Sequence, residues 1–280
     1  MELEHIKSQH TAADGINLFI QGWMPDSSIK AIFCLVHGLG EHGGRYSRLA
    51  QIFAEEKISL LTLDLHGHGK SGGVRGHISS YKVLMDDINI LLKEAKNIFK
   101  EDIPVFLYGH SMGGNLVLNY VLRENPNIKG LIVSAPWLEM KTKPSFYKLF
   151  MGWAMSYVWP KFTQSNGIDK SQLTHCKNTN KEYIDDPLVH DRISAGLFME
   201  VYRAGKWAMQ HAEKLNIPTL LMHGTADQIT SLDASKKFAR TAGSKCSFKA
   251  LNDYYHEIHN ENNREEYFSV IKDWIENQLG

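Results

Sequence analysis

The sequence predicts an α/β protein: a mostly parallel eight-stranded sheet with helices on both faces and a helical segment inserted past its midpoint. Three observations predict it. Short, nearly continuous apolar runs recur along the chain and stop at glycine or proline. Helix-length amphipathic stretches alternate with them. The alternation breaks once, between Trp137 and about Leu215, where aromatic- and Met-rich helical patterns replace it.

The first residues differ from the rest. His5 to His10 and Ile16 to Trp23, joined through Asp14-Gly15, read as an antiparallel hairpin. Buried-strand runs follow at Ala31–Val36, Leu60–Leu65, Val105–Tyr108, Gly130–Ser134 and Thr219–Met222, with a last strand at Ser247–Leu251. Runs this continuous belong to strands covered on both faces, which makes the sheet mainly parallel. Helices are expected over Arg45–Glu56, Tyr81–Phe99, Gly114 to about Arg123, Ser231–Ala242 and Arg264–Leu279. Val83, Leu84, Ile88, Leu91, Leu92, Ala95 and Phe99 make one stripe of the second. Strand followed by helix, repeated, gives right-handed βαβ units. The expected division is a core of residues 1–136 and 216–280, with 137–215 as a helical cap.

Composition sets outer bounds. The 280 residues are 43% hydrophobic and 22% charged, as in an ordinary globular protein. Lys plus Arg equals Asp plus Glu at 31 each, so no basic excess marks a general nucleic-acid binder. Three scattered cysteines offer neither a disulfide framework nor a metal-binding spacing, which fits a reducing compartment. Met1-Glu2-Leu3-Glu4-His5 lacks the basic start and apolar core of a signal peptide, and no apolar stretch is long enough to span a bilayer. A cytoplasmic protein is expected, touching membranes at most peripherally.

The chemistry concentrates at strand ends. Gly109-His110-Ser111-Met112-Gly113 follows one strand and opens a helix, the setting in which G-x-S-x-G exposes a nucleophile. The turn is tight, and glycines two residues either side of the serine avoid clashes that a Cβ would create. The Met112 N–H then lies at a helix N-terminus, where negative charge is favoured. His37-Gly38-Leu39-Gly40 follows the first buried strand and brings the Leu39 N–H toward the same place. Two such donors aimed at a tetrahedral oxyanion contribute about 2.7–4 kcal/mol each.

A serine hydroxyl needs an imidazole to take its proton, and the imidazole needs a carboxylate to fix its tautomer. Asp227 lies just past the strand ending at His223-Gly224. Its rival Asp233 sits inside the next helix, where macrodipole stabilisation explains it as well. His256 lies between the last strand and the last helix. Its rival His259 comes three residues later, and Asp253 is given little weight. Ser111, Asp227 and His256 are therefore the expected triad. Epoxide hydrolases and haloalkane dehalogenases would carry Asp in place of Ser111. A catalytically silent binding protein of the same fold would usually lack one of the three.

Taken together, these residues resemble the monoacylglycerol lipase and lysophospholipase branch of the α/β-hydrolase superfamily. His37-Gly38-Leu39-Gly40-Glu41-His42 with Arg45-Tyr46, Asp64-Leu65-His66-Gly67-His68-Gly69 with Ser71, residues 109–114, His223-Gly224 with Asp227, and His256 with His259 and Glu261 carry the likeness. The resemblance implies cleavage of monoacylglycerol or a related lipid ester without a cofactor or metal. It also implies glycerol contacts for Glu41, Arg45 and His259. A carboxylate, a guanidinium and an imidazole could hold hydroxyls by charge-assisted hydrogen bonds. The alternative is that Glu41 and Arg45 only pair with each other or cap the following helix. Lysophospholipase or general carboxylesterase activity is the neighbouring reading.

Within the inserted segment, Phe146, Leu149, Phe150, Trp153 and Tyr157 recur at helical spacing, and Met151, Met155, Val158 and Trp159 widen the stripe until the helix is apolar nearly all round. Such a helix buries two faces or meets lipid. The expectation is an acyl-chain tunnel on one side and peripheral membrane contact on the other.

Overall fold

The computed structural model describes residues 3–99 and 102–280, so the first two residues of the polar N-terminus lie outside it. Strands β1 (Leu3–Thr11) and β2 (Asn17–Pro25) form the expected hairpin. They are followed by β3 (Ala31–Val36), α1 (Ser47–Glu55), β4 (Ile58–Leu63), α2 (Tyr81–Phe99), β5 (Val105–His110), α3 (Met112–Glu124) and β6 (Gly130–Ser134). After residues 135–218 come β9 (Thr219–Gly224), α7 (Leu232–Ala242), β10 (Cys246–Leu251) and α8 (Glu265–Leu279). Between them lie α4 (Phe146–Val158), β7 (Thr163–Ser165), α5 (Lys177–Asp185), β8 (Arg192–Ser194) and α6 (Ala195–Gln210).

Eight strands make one sheet in the order β1-β2-β4-β3-β5-β6-β9-β10. The hairpin pairs antiparallel with β4, and every pairing from β4 to β10 is parallel. Every residue of β3, β4, β6 and β9 is buried, which is why these segments read as unbroken apolar runs. One face is covered by α2, α3 and α7, the other by α1 and α8. In α8 the buried residues are Tyr267, Ile271 and Ile275, spaced by four so that each adds its full side chain to one core. Burial of each stabilises the fold by about 1.5–3 kcal/mol. The α/β-hydrolase expectation is met: the strand order reverses between β3 and β5, and a crevice opens at the C-terminal ends of the parallel strands there.

Residues 137–215 run over those ends. They contain a small antiparallel sheet, β7 with β8, that no apolar run announced, because Thr163-Gln164-Ser165 and Arg192-Ile193-Ser194 are short and mostly polar. Besides Trp137 N, which donates to Ser111 O, main-chain bonds tie the segment to the core in three places. Lys141 N donates to Ile229 O and Ser231 N to Glu139 O. Glu257 N donates to Leu173 O. His190 N donates to Gly40 O and Ser194 N to Gly76 O. Gly40 and Gly76 both have positive φ, and a Cβ on either would strike the main chain of residues 190–193, so glycine is required for this contact. Helix α4 is different: no residue of it is buried.

Candidate active site

Ser111 has φ 54° and ψ −116°, a left-handed backbone that an L-residue adopts only when its surroundings hold it there. The surroundings are visible. Ser111 N donates to Ser134 O on β6, and Ser111 O accepts from Asn115 N and Trp137 N. A Cβ on Gly109 would meet Gly113 O at 2.5 Å, and one on Gly113 would meet Val36 O at 2.1 Å. The glycines let β5 turn directly into α3 against the end of β3. Helix α3 begins at Met112, two residues earlier than the sequence pattern suggests, so the Met112 N–H is an unpaired first-turn donor beside the serine.

Ser111 Oγ lies 2.8 Å from His256 Nε2, and His256 Nδ1 lies 2.8 Å from Asp227 Oδ2. With Nδ1 donating to the carboxylate, Nε2 is left as the acceptor facing the hydroxyl. Asp227 is held on all sides. Its Oδ1 accepts Ile229 N at 2.7 Å and Thr230 N at 3.0 Å, and its Oδ2 accepts the Thr230 hydroxyl at 2.8 Å. His223 Nε2 stands 3.1 Å from Oδ2. Burial opposes charge on Asp227, but the two imidazoles beside it hold the carboxyl well below the usual carboxylate range. Burial also opposes charge on His256, yet Asp227, then Glu257 and Glu41, raise its pKa above the ordinary imidazole value.

The loop expected to supply the Leu39 donor also comes close. A Cβ on Gly38 would lie 3.2 Å from Ser111 Cβ, so the loop that carries Leu39 packs against the serine. Glu41 fixes that loop by accepting Gly38 N at 2.6 Å and the Tyr46 hydroxyl at 2.8 Å. Glu41 and Arg45 do pair, at 2.5 Å, and Arg45 also forms a two-pronged pair with Glu257 at 2.7 and 2.8 Å. His259 is buried, stacked on the Tyr46 ring at 4.9 Å and edge-on to His110 at 5.0 Å. Burial lowers its pKa to about 4, and neither ring nitrogen has a hydrogen-bond partner among the described residues.

A cavity of about 790 Å³ opens over Ser111. Its wall includes Leu39, Ser111, His256 and Glu41, so these expected site residues share one space. Arg45 and His259 sit behind the wall, Arg45 because two carboxylates draw it inward and His259 because it stacks on Tyr46. The rivals separate from the site: Asp233 is in the first turn of α7, and Asp253 is exposed in a turn with φ 61°. Toward the inserted segment the wall becomes apolar, with Trp137, Met151, Met155, Phe162, Ile193 and Phe198. Among the described residues no group of three or more His, Cys, Asp or Glu side chains is arranged to hold a metal ion.

Sequence reasoning missed the roles of four residues. Thr230 and His223 hold Asp227, Tyr183 covers the Arg45 guanidinium at 4.5 Å, and Glu257 lines the cavity next to His256. Adjacency to His256 was the one signal for Glu257. Thr230 stands three residues after Asp227, the spacing of a local carboxylate-to-backbone turn.

A family model described as Hydrolase_4, serine aminopeptidase S33, matches residues 27–263. An uncharacterized abhydrolase domain-containing protein of Dictyostelium discoideum is 35% identical over 277 residues, which cover 95% of this chain and 28% of that much longer protein. Monoglyceride lipase of Rattus norvegicus is 30% identical over 256 residues, covering 89% of this chain and 82% of its own. The crystal structure of Paleococcus ferrophilus monoacylglycerol lipase is 31% identical, with a TM-score of 0.83, and covers 99% of this chain and 100% of its own.

Proposed function

The chain belongs to the Hydrolase_4 family, and from that premise we propose that it is a serine ester hydrolase cleaving monoacylglycerols to glycerol and fatty acid. The observation that carries this reading is the hydrogen-bonded line from Ser111 through His256 to Asp227 at the floor of a cavity whose far wall is apolar.

In the proposed cycle, Ser111 Oγ attacks the ester carbonyl carbon while His256 Nε2 takes the hydroxyl proton. The carbonyl oxygen becomes an oxyanion between the Leu39 and Met112 N–H groups. Collapse breaks the bond to the alcohol oxygen, which leaves with the proton from His256. Water, deprotonated by the same nitrogen, then attacks the acyl-serine and releases the fatty acid. Asp227 stays ionised throughout and stabilises the imidazolium.

Residues 137–215 act as a cap in this reading, and α4 divides the work. Tyr147, Met151 and Met155 face the cavity, where flexible thioethers suit alkyl chains of varied shape. Phe146, Phe150, Trp153 and Tyr157 point outward, Phe146 at 84% and Trp153 at 45% exposure. From residue 140 to 168 the chain has four lysines and no acidic residue. Aromatic side chains flanked by lysines suit peripheral contact with a bilayer. No helix among the described residues is long and apolar enough to cross one.

Oleate release from 1-oleoylglycerol, dioleoylglycerol and an oleoyl lysophospholipid tests the proposal, with Ser111→Ala as blank. The monoacylglycerol is expected to turn over, and the variant to lose activity by a factor of about 10⁶, as when a nucleophile is removed from such a triad. Turnover of an aminoacyl anilide alone, or no labelling by a fluorophosphonate, would sink the reading.

A further inference from the structure

The cavity contains a charged assembly that acyl transfer itself does not use. Glu41, Arg45 and Glu257 form a buried carboxylate–guanidinium–carboxylate row. The guanidinium is enclosed: Glu41 and Glu257 take its N–H groups, and the Tyr183 ring covers its face. Only the two carboxylates reach the cavity wall. Glu41 also accepts from Gly38 N and Tyr46, and Glu257 from Asn260 Nδ2 at 2.7 Å. A carboxylate has about four acceptor sites, so both keep unused acceptor capacity and neither offers a donor.

One guanidinium against two carboxylates leaves a negative charge in excess. Of the groups around it, the His256 ring is already paired with Asp227. Burial keeps His110 and His259 neutral. The other charged side chains of the wall, Lys143 and Lys148, stand exposed at the α4 side. Glu257 directly follows His256, whose ring must face the departing alcohol oxygen to return its proton. The surplus charge therefore sits at the leaving-group end.

We propose that Glu257 makes this end of the cavity a selective subsite for neutral or cationic leaving groups that donate hydrogen bonds, and excludes esters whose alcohol carries a phosphate monoester. The inference rests on the ester-hydrolase reading above. Hydroxyl donors meet free carboxylate lone pairs, while an anion meets uncompensated like charge in a water-poor pocket. Arg45 acts here as the buried counter-ion that holds both carboxylates, not as the ligand itself.

The test compares three oleoyl esters in the same neutral detergent micelles: 1-oleoylglycerol, oleoylcholine and 1-oleoylglycerol 3-phosphate. For the wild type, kcat/KM on the phosphate ester is expected to fall about 100-fold or more below both others, the order set by facing like charges. Glu257→Gln keeps the side-chain shape and leaves Arg45 and Glu41 as a one-to-one pair. It is expected to narrow the glycerol-to-phosphate ratio about tenfold, whereas Glu257→Asp preserves it. A ratio read on one preparation cancels any uniform loss of active enzyme, and the wild-type ordering needs no variant to fold. Equal cleavage of all three esters by the wild type overturns the inference alone, as does an unchanged ratio in Glu257→Gln. Release of oleate from none of them overturns the ester-hydrolase reading and this inference with it.

Discussion

At the strand ends beneath the cavity, Asp227 is 1% exposed and accepts from Ile229, Thr230 and His256, whereas α4 above it has no buried residue and shows Phe146 and Val158 more than four-fifths exposed. The contrast follows from what each region must do. Proton transfer along three side chains tolerates little displacement, so the floor is over-determined by main-chain donors and glycine-enforced contacts. An acyl chain has no fixed shape and offers no hydrogen bonds, so under the proposed reading the roof would supply area and adaptability.

Three measurements would break or sharpen that contrast. The largest effect is expected from Asp227→Asn, which keeps the shape but disturbs the tautomer of His256. A fall in kcat of about 10⁴ is expected, as for the equivalent change in other triads. A loss of only a few-fold would mean that the floor is no more exacting than the roof.

Next is pH. His256 must be neutral to accept the serine proton, and Asp227 and its neighbours raise its pKa against the opposing effect of burial. The acid limb of kcat/KM should therefore have its midpoint above about 6.5, the ordinary imidazole value, with activity falling tenfold per pH unit below it. A midpoint at or below the ordinary value would contradict the electrostatics described for the floor.

The smallest effect is expected on the roof. Phe150→Ser with Trp153→Ser removes two outward rings that do not line the cavity. Partition onto anionic phospholipid vesicles in a sedimentation assay should weaken about tenfold, while turnover of a water-soluble butanoyl ester stays within two-fold. Equal losses in both would mean that α4 supports the floor structurally, and the contrast would dissolve.

The sequence made the floor legible because its physics is local. Parallel strands buried on both faces leave unbroken apolar runs, each ending where a loop residue can act, and G-x-S-x-G leaves a sterically forced signature at one of those ends. What could not be read arises from contacts between distant segments. The glycines at 43 and 44 begin a 3-10 turn that delays α1 to Ser47. The inward turn of Arg45 depends on Glu257, 212 residues away. The outward and inward faces of α4 could not be told apart because the helix is apolar all round, and only its packing against α6 decides which side is which, with Gly152 lying beside Met199.

The ties at residues 139–141, 173 and 190–194 have a mechanical consequence. They fix residues 139–141 and 190–194, and the pairing of β7 with β8 and the packing of α4 on α6 tie the stretch between them to the same frame. The inserted segment is therefore joined to the strand ends through a few main-chain bonds, two of which require glycine at 40 and 76. A larger residue at either glycine would push residues 190–193, and the segment they belong to, away from the strand ends.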